Sequence, residues 1–299
     1  MKNKRIFYFF VLLGLLLSTI VIAQQEEPPA ITIEKVSGDV YCLYGQGGNI
    51  GILKTDEGLL VVDSQFKSIA DKVLKTIATI SSKPIKYLVN THYHGDHTDG
   101  NEAIGKDAVI IMTPICRASL IKNQKEGETQ PGYLSKVKLW EKDMEIKMGG
   151  ENVRLLHFGG GHTAGDLVVV FEKSKVIHTG DLFFHGMPPY IDVKDGSDTG
   201  NWIRTIETLC QKYPDYKIIP GHGKVTDTEN YLKFAGYLKY LRKEVAAAIK
   251  AGKTKEQAME TIDLEPYQWL KDGNRFTSKK GNIGWIYEEM TRPQGMGDR

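Results

Sequence analysis

Cysteine is scarce in this chain, with three residues, Cys42, Cys116 and Cys210, among 299. An odd number with no short spacing excludes a disulfide-stapled mini-protein, and at least one thiol must stay unpaired. The expectation is three buried thiols. Net charge is lacking too: 39 basic residues face 37 acidic ones, for a formal +2. That balance gives no electrostatic reason to expect nucleic acid, and no basic or aromatic-basic segment suggests a surface for it. With 41% hydrophobic and 25% charged residues, composition is that of an ordinary globular protein, which excludes a disordered chain and a collagen-like repeat. At about 150 residues per domain, the length permits one large domain or two small ones, each able to bury a core without disulfides.

One end is strongly biased. Lys2, Lys4 and Arg5 precede an apolar run from Ile6 to Leu17, which continues to Val21-Ile22-Ala23 and meets Gln24-Gln25-Glu26-Glu27. Basic, apolar, small and then polar residues in that order predict a secretory signal peptide over residues 1–23, cleaved after Ala23. The alternative is an uncleaved anchor, since about 17 apolar residues just span a bilayer. No cysteine follows Ala23, which argues against lipid modification. Removing three basic residues would leave a mature chain near −1, exported to a periplasmic or extracellular compartment and free of the membrane.

Residues 24–30 read as a linker, and residues 31–299 as a single domain with C-terminal helices from about residue 227. Short β-branched runs broken by glycine predict strands at Ile31–Ile33, Val40–Tyr44, Asn49–Leu53 and Leu59–Asp63. Apolar residues at helical spacing over Ser68–Ser81 precede a strand at Ile85–Asn90. The pattern recurs as strands at Val153–Leu156, Leu167–Phe171 and Val176–His178, a helix over Thr199–Lys212 and a strand at Tyr216–Ile219. Two such series suggest two sheets covered by helices. Pro114–Met148, charged and poorly periodic, is expected to form helices and loops across one end, and helices are expected at Asp227–Ala251 and Thr254–Ile262. The lysines of the longer helix read as a solvated face.

The chemistry concentrates at strand ends. After Asn90 comes Thr91-His92-Tyr93-His94-Gly95-Asp96-His97. In an extended segment His92 and His94 project to one side and can share an ion, while a turn at Gly95 brings Asp96 and His97 toward a second. His162 follows three glycines before a strand, Asp181 follows a strand in His178-Thr179-Gly180-Asp181, and His222 lies between two glycines after a strand. Glycine-bracketed loops on rigid strands let such side chains converge. Five of the eight histidines, with Asp96 and Asp181, can thus complete two metal sites.

These motifs resemble those of the metallo-β-lactamase superfamily, whose members carry H-x-H-x-D-H followed by a histidine, an aspartate or cysteine, and a last histidine. The resemblance runs from about Ile31 to the helices beyond His222. It implies an α+β fold, a four-layer αββα sandwich. It also implies His92, His94 and His162 on one metal, Asp96, His97 and His222 on a second, and Asp181 bridging. Two zinc ions are expected, although imidazole and carboxylate donors also suit iron and manganese. The best-known zinc β-lactamases place cysteine where Asp181 stands and lack the histidine at His97. The set here is more similar to hydroxyacylglutathione hydrolases, acyl-homoserine lactonases and the phosphodiesterase branch. Asp181 also counts against a further β-lactamase group that shares H-x-H-x-D-H. Flavo-diiron proteins usually carry glutamate at the place of His94, and Asp99 stands where many relatives have glycine.

The expected enzyme is an exported zinc-dependent hydrolase acting on a small-molecule ester, thioester, lactone or lactam. A metal-bridging hydroxide would attack, with Asp96 as the catalytic carboxylate that orients it. The alternatives are a β-lactamase specifically and a persulfide dioxygenase-like oxidoreductase with one iron. His185 and Tyr190, in Phe183-Phe184-His185-Gly186-Met187-Pro188-Pro189-Tyr190, are candidates for the substrate wall, the alternative being an apolar loop packed on the sandwich. His157 and His178 are either contacts behind the metal ligands or core histidines, and Asp63 is read as structural.

Overall fold

Alternation along each strand sorts its side chains between two cores. In Leu59–Val62, Leu60 and Val62 face one buried cluster while Leu59 and Val61 face another. In Val168–Phe171, Val169 and Phe171 join the first cluster, while Val168 and Val170 turn to a third. A strand hydrophobic on both faces must be covered on both. The computed structural model, which describes residues 30–292 apart from 125–128, 143 and 275, meets this with four layers. The expected export signal and most of the linker lie outside the described residues.

The first sheet runs in order β1 (Thr32–Ser37), β2 (Val40–Tyr44), β3 (Ile50–Lys54), β4 (Leu59–Val62), β5 (Ile85–Val89), β6 (Val109–Met112) and β7 (Lys138–Leu139). The second comprises β8 (Glu145–Met148), β9 (Glu151–Leu156), β10 (Val168–Phe171), β11 (Val176–His178), β12 (Lys217–Ile219) and β13 (Thr226–Asp227), with spatial order reversed from β13 to β8. β4, β5, β6 and β7 pair in parallel, as do β11 and β12, and the other neighbours are antiparallel.

Parallel neighbours need a crossover. Helix α1 (Ala70–Ala78) supplies it between β4 and β5, and α5 (Thr199–Lys212) between β11 and β12. α1 buries Val73 and Ile77 on the outer face of the first sheet, joined by Ile104 of α3 (Asn101–Ile104) and Cys116 of α4 (Pro114–Lys122). α5, α6 (Thr228–Lys250) and α8 (Lys279–Thr291) cover the second sheet, with Trp202, Phe234, Tyr237 and Ile286 buried there and α7 (Lys255–Thr261) adding Ala258. Between the sheets lie Leu60, Val62, Val89, Ile111, Val169, Phe171 and Ile219. Each such side chain contributes about 1.5–3 kcal/mol by leaving water.

The αββα sandwich is the one expected. Among the described residues of 114–148 stand α4, a 3-10 turn at Gly132–Ser135, β7 and β8. The expected helix at Ser68–Ser81 is a 3-10 turn, Lys67–Ile69, running into α1. The three cysteines are buried free thiols.

Candidate metal centre

The functional loops leave the carboxyl ends of parallel strands, where open α/β sheets place their ligands. β5 delivers the segment from Thr91 to His97, β11 delivers Asp181 and β12 delivers His222. The turn after His94 is a four-residue helix, α2 (Gly95–Thr98), closed by His97 N–H donating to the His94 carbonyl at 2.9 Å. This coil places Asp96 and His97 in a different donor group from His92 and His94, although the rings of His92 and His97 stay 4.2 Å apart. Gly95 serves a close approach, since a Cβ there would stand 2.9 Å from the Asp99 carboxylate.

All seven sequence-predicted donors come together in two groups. His92, His94, His162 and Asp181 form one, and Asp96, His97 and His222 the other; within each group the donor atoms lie within 4.8 Å of one another. In the first, His94 Nδ1 is 3.1 Å from His92 Nε2 and 2.9 Å from His162 Nε2. Asp181 Oδ2 is 3.7 Å from His92 Nε2 and 3.4 Å from His162 Nε2. Its other oxygen, Oδ1, turns to the second group, 3.0 Å from His97 Nε2 and 3.4 Å from His222 Nε2. Asp96 Oδ2 lies 3.2 Å from His222 Nε2 and 3.6 Å from His97 Nε2.

The donors fit metal ions on their own evidence. His97 Nε2 and Asp181 Oδ1 are buried without a hydrogen-bond partner among the described residues, which is costly unless a further group engages them. Glycine keeps the space open, because a Cβ on Gly48 would strike the His97 ring and one on Gly221 would strike Asp181 Oδ1. Nitrogen and carboxylate oxygen donors suit divalent ions of the zinc type.

Charge divides the two groups. Burial holds the His92 imidazolium well below its ordinary range, reinforced by the charge of His97, and burial takes His162 down to about 4. In the second group burial also opposes protonation, but Asp181, Asp96 and Asp63 raise His97 well above the usual value, and Asp181 and Asp96 hold His222 at about 9. Burial pushes Asp181 up, yet His97, His222 and His92 keep it far below the ordinary carboxylate range. Asp96 is likewise pushed up by burial and brought back to about 2 by His97 and His222.

A rim of acceptors fixes the rings. Asp63, buried at φ +65°, accepts from Thr91 N and Oγ1 at 2.8 and 2.7 Å, and its Oδ2 lies 2.7 Å from His97 Nδ1. Asp192 Oδ2 lies 3.0 Å from His94 Nε2 and accepts from Tyr93 OH at 2.6 Å, while the Tyr190 carbonyl is 2.8 Å from His162 Nδ1. Asn49 donates through Nδ2 to the carbonyls of Pro220 and Gly223, fastening the His222 loop. Asp192 and Asn49 lie outside the metal-ligand motifs and Tyr93 is a variable position within one; only their contacts mark them. His178, brought to about 4 by burial, is a neutral core histidine whose Nε2 faces the Asn49 carbonyl at 3.1 Å. His157 lies 2.7 Å from the Asp166 carbonyl.

Of the two substrate-wall candidates, Tyr190 stands at the centre, its ring 5.5 Å from that of His94 and 5.8 Å from that of His162. His185 turns to the Lys224 carbonyl at 2.8 Å and belongs to neither donor group. A cleft of about 600 Å³ opens beside His94, lined by Lys67, Tyr93, Thr98, Leu120, Tyr133 and Leu134 among others.

Imidazole and carboxylate donors converging at one end of an αββα sandwich define a metal-dependent hydrolase. A family model described as the metallo-beta-lactamase superfamily matches residues 43–222, and the chain belongs to that superfamily. The beta-lactamase-like protein 2 homolog of Caenorhabditis elegans is 25% identical over 238 residues, covering 75% of each protein. The metallo-beta-lactamase type 2 of Elizabethkingia meningoseptica is 24% identical over 213 residues, 67% of this chain and 81% of that one. The solved metallo-beta-lactamase from Pontibacter korlensis shares the fold at a TM-score of 0.58 and 23% identity, over 69% of this chain and 99% of its own.

Proposed function

We propose that this protein is an exported two-zinc hydrolase that cleaves a carbonyl bond, an ester, thioester, lactone or lactam, in a small molecule. The observation that carries the reading is Asp181, whose two oxygens serve two separate donor groups. In this reading His92, His94 and His162 would hold one ion, Asp96, His97 and His222 would hold the other, and Asp181 would serve both. Two divalent ions in such a site polarise a carbonyl oxygen and bring the pKa of water to about 7. The buried aspartates keep the histidine rings oriented. Asp96, ionised and 25% exposed, orients the attacking water and takes its proton. Tyr190 keeps its phenolic proton, since burial and then Asp192 push it up to about 12. A protonated hydroxyl there would act toward a substrate oxygen as a donor, not as a base.

β-Lactam cleavage is the second reading, favoured by the match to the Elizabethkingia meningoseptica enzyme. A panel of lactones, thioesters, esters and β-lactams, with phosphodiesters as the outgroup, tests both on zinc-loaded protein. Chelator-sensitive turnover of a carbonyl substrate supports the proposal, and a chromogenic cephalosporin turned over rapidly selects the second reading. Turnover confined to phosphodiesters overturns both.

A further inference from the structure

We propose that helix α8 belongs to the metal centre, with Asn282 as the positioning residue through which it sets the rings of His94 and His162. The inference rests on the metal-binding reading above and concerns how two of the donors are held.

Asn282, Trp285, Glu289 and Arg292 recur three or four residues apart, along one face of the helix and its C-cap. All four engage the segment 189–199. Asn282, wholly buried, donates through Nδ2 to the Pro189 carbonyl at 2.7 Å, while its Oδ1 accepts from Tyr237 OH at 2.8 Å, so both ends of the amide are fixed. The Trp285 ring meets that of Tyr190 edge-on at 5.2 Å. Glu289 accepts from Thr199 N–H at 3.1 Å and pairs with Arg242 at 2.6 Å. Arg292 donates to the Ser197 carbonyl at 3.0 Å.

That segment carries the acceptors for the first donor group. His162 presents Nε2 to the centre, so the proton of its neutral ring belongs on Nδ1, facing the Tyr190 carbonyl. His94 presents Nδ1, so its proton belongs on Nε2, facing Asp192. The two rings must adopt opposite tautomers, and the acceptors that select them lie one and three residues beyond Pro189. A helix that only closed the core would need Ile283 and Ile286, which are buried in the cluster over the second sheet, and no polar grip on this loop. Asn282 and Glu289 are instead buried polar residues spent on it.

The test uses the full mature chain, with Asn282→Ala, Arg292→Ala and the packing control Ile283→Ala. Imidazole nitrogen spectra of the metal-free chain report the tautomers of His94 and His162, and zinc titration against a chromophoric chelator reports each equivalent separately. The expected result is a mixture of tautomers at His94 and His162 in Asn282→Ala, with one zinc equivalent weakened about tenfold or more and the other unchanged. Arg292→Ala, at the helix end and independent of the core, should shift the same equivalent in the same direction. Ile283→Ala should lower Tm while both tautomers and both affinities stay put. Wild-type tautomers and affinities in Asn282→Ala and Arg292→Ala overturn the inference, as does an equal effect from Ile283→Ala. A wild-type chain that takes up no zinc overturns the metal reading instead, and the tautomer spectra still judge the role of α8.

Discussion

Asp63 Oδ2 and His97 Nδ1 lie 2.7 Å apart, both fully buried, on loops that follow two adjacent parallel strands. The contact turns Nδ1 to Asp63 and leaves Nε2 aimed, without a hydrogen-bond partner among the described residues, at the second donor group. Asp63 holds a left-handed backbone conformation that most residues avoid and that aspartate and asparagine tolerate. The residue is thus selected twice, by its backbone and by the ring it orients.

Asp63→Asn should separate those two requirements. Asparagine keeps the backbone but can present its amide N–H to His97 Nδ1, turning the tautomer so that Nε2 carries the proton. One zinc equivalent should weaken by about 10–100-fold, as for other partners that orient a metal ligand, with a smaller loss of Tm. Zinc titration with parallel thermal melts checks both.

The two donor groups should differ in proton release. His92 and His162 are neutral near pH 7, whereas His97 and His222 hold protons that a metal must displace. Because the folded His222 lies at about 9, above its ordinary 6.5 or so, its ion pairs stabilise the metal-free chain fully below about pH 6.5. That contribution is lost as pH rises through 9. Zinc affinity at the second group should increase with pH throughout the range below about 9, where the metal must displace the His222 proton. Calorimetry in two buffers of different ionisation enthalpy should show more protons released by the weaker equivalent.

His92→Ala and Asp181→Ala should each abolish hydrolysis while the chain stays folded, because the packed sandwich lies behind the loops that carry them. Losing Asp181 removes the donor common to both groups, so its metal content should fall below that of His92→Ala. Circular dichroism and elemental analysis on the same samples check this. Unchanged turnover with intact metal content in either variant would mean the site is misassigned.

The three cysteines should resist alkylation in the native state. Burial pushes Cys42 and Cys210 up to about 12 and raises Cys116 well above its ordinary range, which leaves almost no thiolate at neutral pH. Mass spectrometry after brief maleimide exposure should find no adduct natively and three after denaturation.

Much of this was legible in the sequence because it is encoded locally. The short β-branched runs became β2, β3, β4 and β10, the helix expected at about Thr199–Lys212 is α5, and the donor-type side chains stand in glycine-bearing segments at strand ends. The less legible parts depend on distant contacts. α8 hides because its inward face includes Asn282 and Glu289, which look like surface residues until the loop they hold is in place. α4 buries Cys116 and Ser119 rather than a leucine stripe. Asp192 and Tyr93 meet across nearly 100 residues of chain, |i−j| = 99, and no local pattern announces such a pair. His185 shows the converse: proximity in sequence to Asp181 does not place its ring among the donors.

Whether the protein is a two-metal hydrolase is tested most directly by elemental analysis of the purified chain, measured alongside its chelator-sensitive turnover of a carbonyl substrate. The account predicts two zinc ions per chain, with turnover lost as they are stripped and regained as they return. A single iron per chain, or turnover that survives complete removal of metal, would contradict it.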